Sequence, residues 1–201
     1  MGNVIITQLE RDNDFTSCIE KIHLDLLEGI EEKLNVPMSE EFWNKMQNPN
    51  LAYLNFEGNI NSSEENITYL AHSGINNFKK SEPITKFLNK VYEYKPGKER
   101  YRSSNVNRSN NVLANDLKKI IQKSRSTTAW NREVDSESKL LETFLAILDE
   151  GILELEGELL LYTFYYPCLS CSNKVVKVIT ELSQRFPKLN IEIWYVEEYG
   201  M

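Results

Sequence analysis

Two cysteines in the run Tyr166–Cys171, YPCLSC, constrain the fold of this chain more than any other feature. They follow a strand-like stretch at residues 158–165 and precede residues 175–186, whose apolar positions recur at helical spacing. Two thiols separated by two residues at a strand-to-helix corner can both face one tetrahedral ion. A helix N-terminus also favours the thiolate form that binds metal. The spacing therefore predicts a metal site between two rigid elements, with zinc as the first candidate.

Other interpretations of a Cys-x-x-Cys pair fit this chain less well. The bulky Leu-Ser between the cysteines and the absence of an early βαβ pattern disfavour a thioredoxin-like redox site. A structural zinc knuckle needs two more ligands, but Cys18, His23 and His72 include no second closely spaced pair. Three protein ligands plus a water suit the chain better, and that is the catalytic arrangement of zinc.

A second motif lies upstream, where Asp135 and Glu137 come at the start of a predicted amphipathic helix. The apolar positions of this helix are Leu140, Leu141, Phe144, Leu145 and Leu148. Acidic residues are common in the first turn of any helix, where they cap N–H groups and complement the helix dipole. Taken alone, the motif is therefore explained equally well by helix capping.

Together the two motifs resemble the signature of the zinc-dependent nucleobase and cytidine deaminase superfamily. That signature is a His, Cys or Asp followed two residues later by Glu, and then a downstream Pro-Cys-x-x-Cys. The closer resemblance is to the deaminase domains of bacterial polymorphic toxins. It is carried by DSESKLLE at 135–142, LYT at 161–163, the cysteine motif itself and RFP at 185–187. The segment AHSG at 71–74 adds weaker support.

The resemblance implies a zinc-dependent hydrolytic deaminase with a defined set of site residues. Asp135, Cys168 and Cys171 are expected to hold the zinc ion, which lowers the pKa of a water molecule, and Glu137 to shuttle protons without being a ligand. The superfamily more often has His or Cys at the first position. An alternative therefore has Asp135 capping the helix while His72 completes the site.

Substrate contacts are predicted around the same helix. Trp130, Asn131 and Arg132 directly precede it, where an amide can read a base edge and an arginine can bind a phosphate. His72 lies near the end of an earlier predicted strand, and when it is not a ligand it is expected to be either a hydrogen-bonded structural residue or a donor in the pocket wall.

The resemblance also implies an α/β fold, in which a cytidine-deaminase-like mixed sheet is sandwiched by helices. We expect one deaminase-like domain over residues 1–201. Its parts are an N-terminal helix and β-hairpin at 1–78, a basic insert at 79–132, and a catalytic helix-strand-helix-strand core at 133–201. The chain ends soon after the closing strand, so a fifth core strand found in many relatives is either missing or supplied elsewhere.

Local patterns predict the individual elements. Apolar residues at spacings of three and four mark a first helix from Phe15 to Leu34. Strands are predicted near 51–56 and 67–76, joined as a hairpin, and a closing strand at 190–196. Cys18 is assigned to the apolar stripe of the first helix as a small hydrophobe.

Charge is distributed unevenly along the chain. Residues 79–132 contain 14 basic and 4 acidic residues, a net charge of +10, so the rest of the chain carries −17 and the whole −7. An acidic total disfavours nucleic-acid binding, but the local excess permits it. Four aromatic residues interleave with the basic ones and offer faces on which single-stranded bases can stack: Tyr92, Tyr94, Tyr101 and Trp130.

The composition fits a globular domain, with 41% hydrophobic and 26% charged residues. No apolar run approaches the roughly 20 residues that span a bilayer, so no membrane partner is expected. Three cysteines, two of them in the metal motif, argue against a disulfide scaffold, and the chemistry is expected to take place in cytoplasm. Two alternatives stay open, synthesis in that cytoplasm and, as the resemblance implies, delivery from another cell as a secreted toxin domain.

The favoured function is conversion of cytosine to uracil in DNA or RNA, with an immunity protein as a further partner. The alternatives are a deaminase of free nucleosides or nucleotides and a zinc-stabilised binding module without turnover.

Overall fold

A computed structural model of the chain describes residues 2–34, 51–73, 90–95, 101–105, 136–148, 152, 154–166 and 169–198, with backbone alone at 30–34, 101–105 and 169–174. The elements in chain order are β1 (Val4–Gln8), α1 (Asp14–Leu34), β2 (Leu51–Ile60), β3 (Ser63–His72), β4 (Lys90–Tyr94), β5 (Tyr101–Asn105), α2 (Ser136–Ile147), β6 (Leu155–Tyr165), α3 (Leu169–Arg185) and β7 (Leu189–Glu197).

The seven strands form one mixed sheet in the order β1-β7-β6-β2-β3-β4-β5. The strands β1, β7 and β6 run parallel to one another, and every pairing from β6 through β2, β3 and β4 to β5 is antiparallel. Helices cover both faces of this sheet. The predicted α/β fold with a mixed, cytidine-deaminase-like sheet is therefore confirmed.

The predicted hairpin is present, but its turn is tighter than the sequence suggested. Both strands continue into the polar stretch, and the turn is made by Asn61 and Ser62 alone, which have φ values of 48° and 67°. Positive φ at both central residues is the geometry that matches the twist of a two-residue hairpin. The second strand ends at His72 and not at residue 76.

Three strands were not predicted from the sequence. β1 pairs in parallel with β7, so the N-terminus supplies a strand beyond the closing one. β4 and β5 lie within the basic segment 79–132 and extend the sheet from β3. The short helical pattern near 117–121 in the same segment lies outside the described residues.

One face of the sheet carries α2 and α3. Helix α2 packs on β2, β3 and β4, while α3 packs on β7 and β1. Leucine, valine and phenylalanine side chains from both helices join those of the central strands in one core, which includes Leu54, Phe56, Phe144, Leu161, Ile179 and Leu182. Burial of this apolar surface is the main force that fixes the two helices on the sheet.

The opposite face is covered in part by α1. Asn13 caps the start of α1 by accepting a 2.8 Å hydrogen bond from the Phe15 amide. The buried face of α1 contributes Ile19, Leu26 and Leu27 to a second core. Cys18 is exposed, so its assignment to the apolar stripe was wrong: the stripe rotates past it to the neighbouring Ile19.

The part of that face formed by the turn end of the hairpin and the start of β6 is exposed and acidic. Glu57 lies opposite Glu158, and Asn59 lies opposite both Glu156 and Glu64. All five side chains are exposed. We call these five residues the acidic end of the sheet.

No helix in the described part of the chain is both long enough and apolar enough to cross a membrane.

Candidate active site

The two sequence motifs converge on one edge of the sheet. Ala52, at the start of β2, is paired with Ala71 near the end of β3 and with Thr163 near the end of β6. The ends of β3 and β6 therefore flank the start of β2, roughly 10 Å apart because each strand spacing is almost 5 Å. Helix α2 begins beside the end of β3, and α3 begins four residues after β6 ends.

The start of α2 is capped by Ser73, the residue that directly follows β3. The Ser136 amide donates to Ser73 Oγ at 3.2 Å, and the two hydroxyl oxygens lie 3.0 Å apart. The first N–H groups of a helix have no partner within the helix, so Ser73 satisfies one of them from outside. This contact fixes the N-terminus of α2 to the end of β3.

Glu137 lies in the first turn of α2 and is half-buried. Its Oε2 atom accepts a 3.2 Å hydrogen bond from the Ser136 hydroxyl. The helix dipole favours a carboxylate at this position. The residue predicted as the proton shuttle is thus held at the edge where the two motifs converge.

Lys139 is 3% exposed, which is unusual for a lysine, and its Nζ donates a 2.7 Å hydrogen bond to the main-chain oxygen of His72. Burial of an ammonium group is costly unless it is well bonded. One turn further along, the Thr143 hydroxyl donates to the Lys139 carbonyl at 2.8 Å. The lysine therefore forms a second attachment between α2 and β3.

The ring of His72 lies on the other side of the sheet from α2. By register its side chain is on the α1 face, and its ring centroid lies 5.5 Å from that of His23. Its Nδ1 lies 2.9 Å from the Ser73 carbonyl oxygen. Because a carbonyl can only accept a hydrogen bond, Nδ1 must be the donor, and in the neutral ring the lone pair is then on Nε2. What His72 presents to α2 is its main-chain carbonyl.

The tyrosines on β3 and β4 lie in a weakly polar environment. Burial raises the pKa of Tyr69 to about 12, and Glu93 opposite it in the register adds to the effect. Burial also raises the pKa of Tyr92 well above its ordinary value. Both shifts have burial as their main cause, so the neutral phenol is favoured at each position.

Buried polar side chains are concentrated at this edge. Of the ten that are buried among the described residues, five lie at the end of β3 and in the first two turns of α2, namely His72, Ser136, Ser138, Lys139 and Thr143. Such groups destabilise a core that is built for packing alone, so their clustering marks a candidate functional site. We call His72, Ser73, Ser136, Glu137 and Lys139 the β3–α2 corner.

Several predicted site residues lie outside the described residues. These are the zinc ligands Asp135 and Cys168 and the substrate contacts Trp130, Asn131 and Arg132. Cys171 lies on the backbone of α3, but its side chain is not among those described. Within the described residues, no three His, Cys, Asp or Glu side chains form a group that could hold a metal ion. The ligand set therefore stays a prediction.

The predicted donors nevertheless suit zinc chemically. One carboxylate and two thiolates are ligands that zinc accepts in a tetrahedral site with a fourth, open position. The topology is compatible with this set, because Asp135 immediately precedes α2, Cys168 immediately precedes α3, and both helices begin at the same edge of the sheet.

Ser73, Ser136 and Lys139 connect α2 to the end of β3, but they were not among the predicted site residues. In the sequence, Ser136 is the residue between Asp135 and Glu137, and Lys139 belongs to the run DSESKLLE at 135–142 that resembles toxin deaminases. A signal was available for Lys139, since it directly precedes two apolar positions of an amphipathic helix, Leu140 and Leu141. No signal links Ser73 to Ser136, because 63 residues separate them.

A comparison with known protein families identifies the chain. The Toxin-deaminase model, described as the BURPS668_1122 family of deaminases, matches residues 44–197. No curated protein and no solved structure matches the chain. The matched region runs from before β2 to the end of β7 and contains both motifs. The resemblance drawn from those motifs is thereby confirmed: the chain belongs to the Toxin-deaminase family and is a deaminase.

Proposed function

We propose that this deaminase is zinc-dependent and converts cytosine to uracil in nucleic acid, as the effector domain of a bacterial toxin. One observation carries the proposal. The half-buried Glu137 is held at the start of α2, on the sheet edge where β6 ends and the cysteine-bearing helix α3 begins. A proton-transfer group beside a candidate metal-binding segment is what hydrolytic deamination requires.

Asp135, Cys168 and Cys171 are the residues that would hold the ion. Zinc, when bound, would activate water for attack on the amidine carbon of the base. In the overall reaction, water adds at C4 of cytosine, the C4–N4 bond breaks, and ammonia leaves as the C4 carbonyl forms. No oxidant or reductant is needed. Two thiolate ligands donate charge to the ion and make it a weaker Lewis acid, which increases the demand on the protein's own acid–base group.

Glu137 would be that group. As a carboxylate it takes a proton from the attacking water, and as a carboxylic acid it returns protons to the ring nitrogen and then to the leaving amine. Its place in the first turn of α2 suits the charged form. The hydrogen bond from Ser136 restrains Oε2, so that the carboxylate does not have to be ordered during the reaction.

The position of the basic segment supports a nucleic-acid substrate. β4 and β5 belong to residues 79–132, and β4 pairs with β3 and packs against α2. The described parts of this segment, 90–95 and 101–105, contain Lys90, Lys95 and Arg102 against the single acidic residue Glu93. Part of the basic segment therefore lies next to the β3–α2 corner, while the acidic end is at the opposite end of β3. This polarity would direct a phosphate backbone towards Glu137 and away from the acidic end.

We further propose that Trp130, Asn131 and Arg132 contact the substrate strand, and that the toxin acts in the cytoplasm of a recipient cell after delivery. An immunity protein that covers the site would protect the producing cell.

The experiment is deamination of pooled single- and double-stranded DNA and RNA by purified protein, read by sequencing. We expect C-to-T changes that disappear with Glu137→Ala, and Lys188→Ala as the control should behave as wild type because its exposed ion pair with Glu156 is remote from the corner. A-to-G changes would reassign the base. Changes that persist in Glu137→Ala would contradict the proposed site.

The acidic end favours one alternative, a deaminase of free nucleosides. A sheet with like charges facing each other on its open face repels nucleic acid at long range. The two candidates differ in salt dependence, because each phosphate contact makes binding weaker as salt rises, whereas a neutral nucleoside has no such contact. If the KM for the polymer is the same at low and at physiological salt, the result favours a deaminase of free nucleosides.

A further inference from the structure

We propose that Ser73 and Ser136 are positioning residues that orient the carboxylate of Glu137 through a directed chain of hydrogen bonds. The inference rests on the proposed catalytic role of Glu137. It assigns a function to two serines that belong to neither the predicted ligand set nor the predicted substrate contacts.

The chain has a single consistent direction. The Ser136 hydroxyl carries one proton and donates it to Glu137 Oε2 at 3.2 Å. In the 3.0 Å contact between the two hydroxyls, Ser73 must then be the donor. Ser73 Oγ in turn accepts from the Ser136 amide at 3.2 Å. The order is therefore Ser136 N–H, Ser73 O–H, Ser136 O–H and Glu137 carboxylate, in which each bond polarises the next.

The end of β3 gives this chain a fixed anchor. The Lys139 ammonium donates to the His72 carbonyl at 2.7 Å, directly before Ser73, and His72 Nδ1 donates to the Ser73 carbonyl at 2.9 Å. Ser73 is therefore held through its main chain as well as its hydroxyl. Ser136 and Lys139 are each 3% exposed, and Ser73 and Glu137 are half-buried, so the bonds of the chain are partly shielded from water.

The consequence for catalysis is geometric. The bond from Ser136 to its neighbour Glu137 is local, and at 3.2 Å it is not a short one. Ser73 keeps the Ser136 hydroxyl pointed at the carboxylate, because it supplies the proton that the Ser136 oxygen accepts. Removal of either hydroxyl should leave Glu137 in place but less well ordered for proton transfer.

The test compares Ser73→Ala, Ser136→Ala and the double variant with wild type, using the substrate on which wild type is active. We expect kcat to fall about ten-fold in each single variant with KM unchanged, which corresponds to one lost hydrogen bond. The double variant should be little worse than either single one, since both break the same chain. Ser73→Thr keeps the hydroxyl and should restore most of kcat.

The matched control is Ser183→Ala. Ser183 is also buried and donates one 3.0 Å hydrogen bond to a main-chain oxygen, that of Gly2, far from the corner. It should lose stability without loss of kcat. If the three serine variants show the same lowered unfolding midpoint and all retain wild-type kcat, the two serines are structural only and the inference is overturned.

Failure of the inference is distinguishable from failure of the proposed function. An inactive Glu137→Ala together with fully active Ser73→Ala and Ser136→Ala removes the positioning role alone, whereas an active Glu137→Ala removes both. The NMR shift of the Glu137 carboxyl carbon supplies a readout that needs no turnover. It should move in Ser73→Ala and Ser136→Ala and not in Ser183→Ala, and an unchanged shift in all three overturns the chain.

Discussion

The two ends of β3 show opposite uses of polar side chains. At the β3–α2 corner, polar groups are buried and bonded to each other or to main-chain oxygens. At the acidic end, polar groups are exposed, and Glu57 and Glu158 face each other with like charge. Buried polar networks fix geometry because a lost partner is costly, whereas solvated charges tolerate substitution. The difference indicates that hydrogen bonds restrain side-chain positions at the corner more than at the acidic end.

The largest difference in stability loss is expected between substitutions of two lysines, Lys139 at the β3–α2 corner and Lys188, which pairs with Glu156 of the acidic end. Lys139→Met should lower the free energy of unfolding by about 2–3 kcal/mol, since the His72 carbonyl loses a charged donor and stays buried. Lys188→Met should leave it unchanged within the error of the measurement, because that exposed lysine pairs with an exposed Glu156. Urea denaturation of both variants measures this contrast. Equal losses would contradict a special status of the corner.

The backbone of the acidic end is expected to be less tolerant than its side chains. Gly58 and Gly157 face each other across β2 and β6 with φ values of 158° and 135°, and a Cβ atom on either would collide with the main chain of the other strand. Gly157→Ala should therefore cost about 2 kcal/mol in unfolding free energy. Gly29→Ala is the control, because a Cβ there meets no neighbour. A Gly157→Ala variant as stable as wild type would show that the strands can separate locally at no cost.

The alkaline stability of the sheet should depend on Tyr69, between the two ends. Its pKa is raised in the folded state from 10.0 to about 12 by burial, and then by Glu93. A group whose pKa is higher in the folded state contributes stability below its unfolded value and loses it as pH rises through the folded one. Between about pH 10 and 12, wild type should therefore lose more stability than Tyr69→Phe. Parallel curves for the two proteins, from denaturation at each pH, would exclude this contribution.

The smallest expected effect is a gain. Glu158→Gln removes one member of the facing pair and should stabilise the protein by a few tenths of a kcal/mol at low salt, with the gain lost as salt screens the charges. Turnover should not change. A destabilised variant would mean that the acidic end has a structural partner for this carboxylate.

The sequence predicted the elements with strong patterns and missed those whose partners are distant. The first helix and the catalytic helix-strand-helix-strand core follow from apolar periodicity, and they are present with ends shifted by a few residues. β1 has no such periodicity: its four β-branched residues, Val4–Thr7, suit a strand, but the run is short, and Val4, Ile5 and Ile6 are 38–45% exposed. Only pairing with β7, about 187 residues further along, makes it a strand.

The turn of the hairpin shows the same limit of local reasoning. Gly58 is a usual turn residue, yet it lies within β2 because the facing Gly157 permits a close backbone approach. At the site, Glu137 was predicted from its motif, whereas the support from Ser73 depends on how β3 and α2 meet in space. The motif therefore predicts Glu137 as a site residue, whereas its contacts with Ser136 and, through it, with Ser73 become visible only in the fold.

The proposed function requires that the β3–α2 corner present Glu137 to a zinc-activated water. The most direct test is to measure zinc per chain and deamination on the same preparations of wild type, Glu137→Gln and Cys171→Ser. We expect one zinc and activity in wild type, one zinc without activity in Glu137→Gln, and loss of both in Cys171→Ser. Activity retained by Glu137→Gln, or an active wild type that holds no zinc, would contradict it.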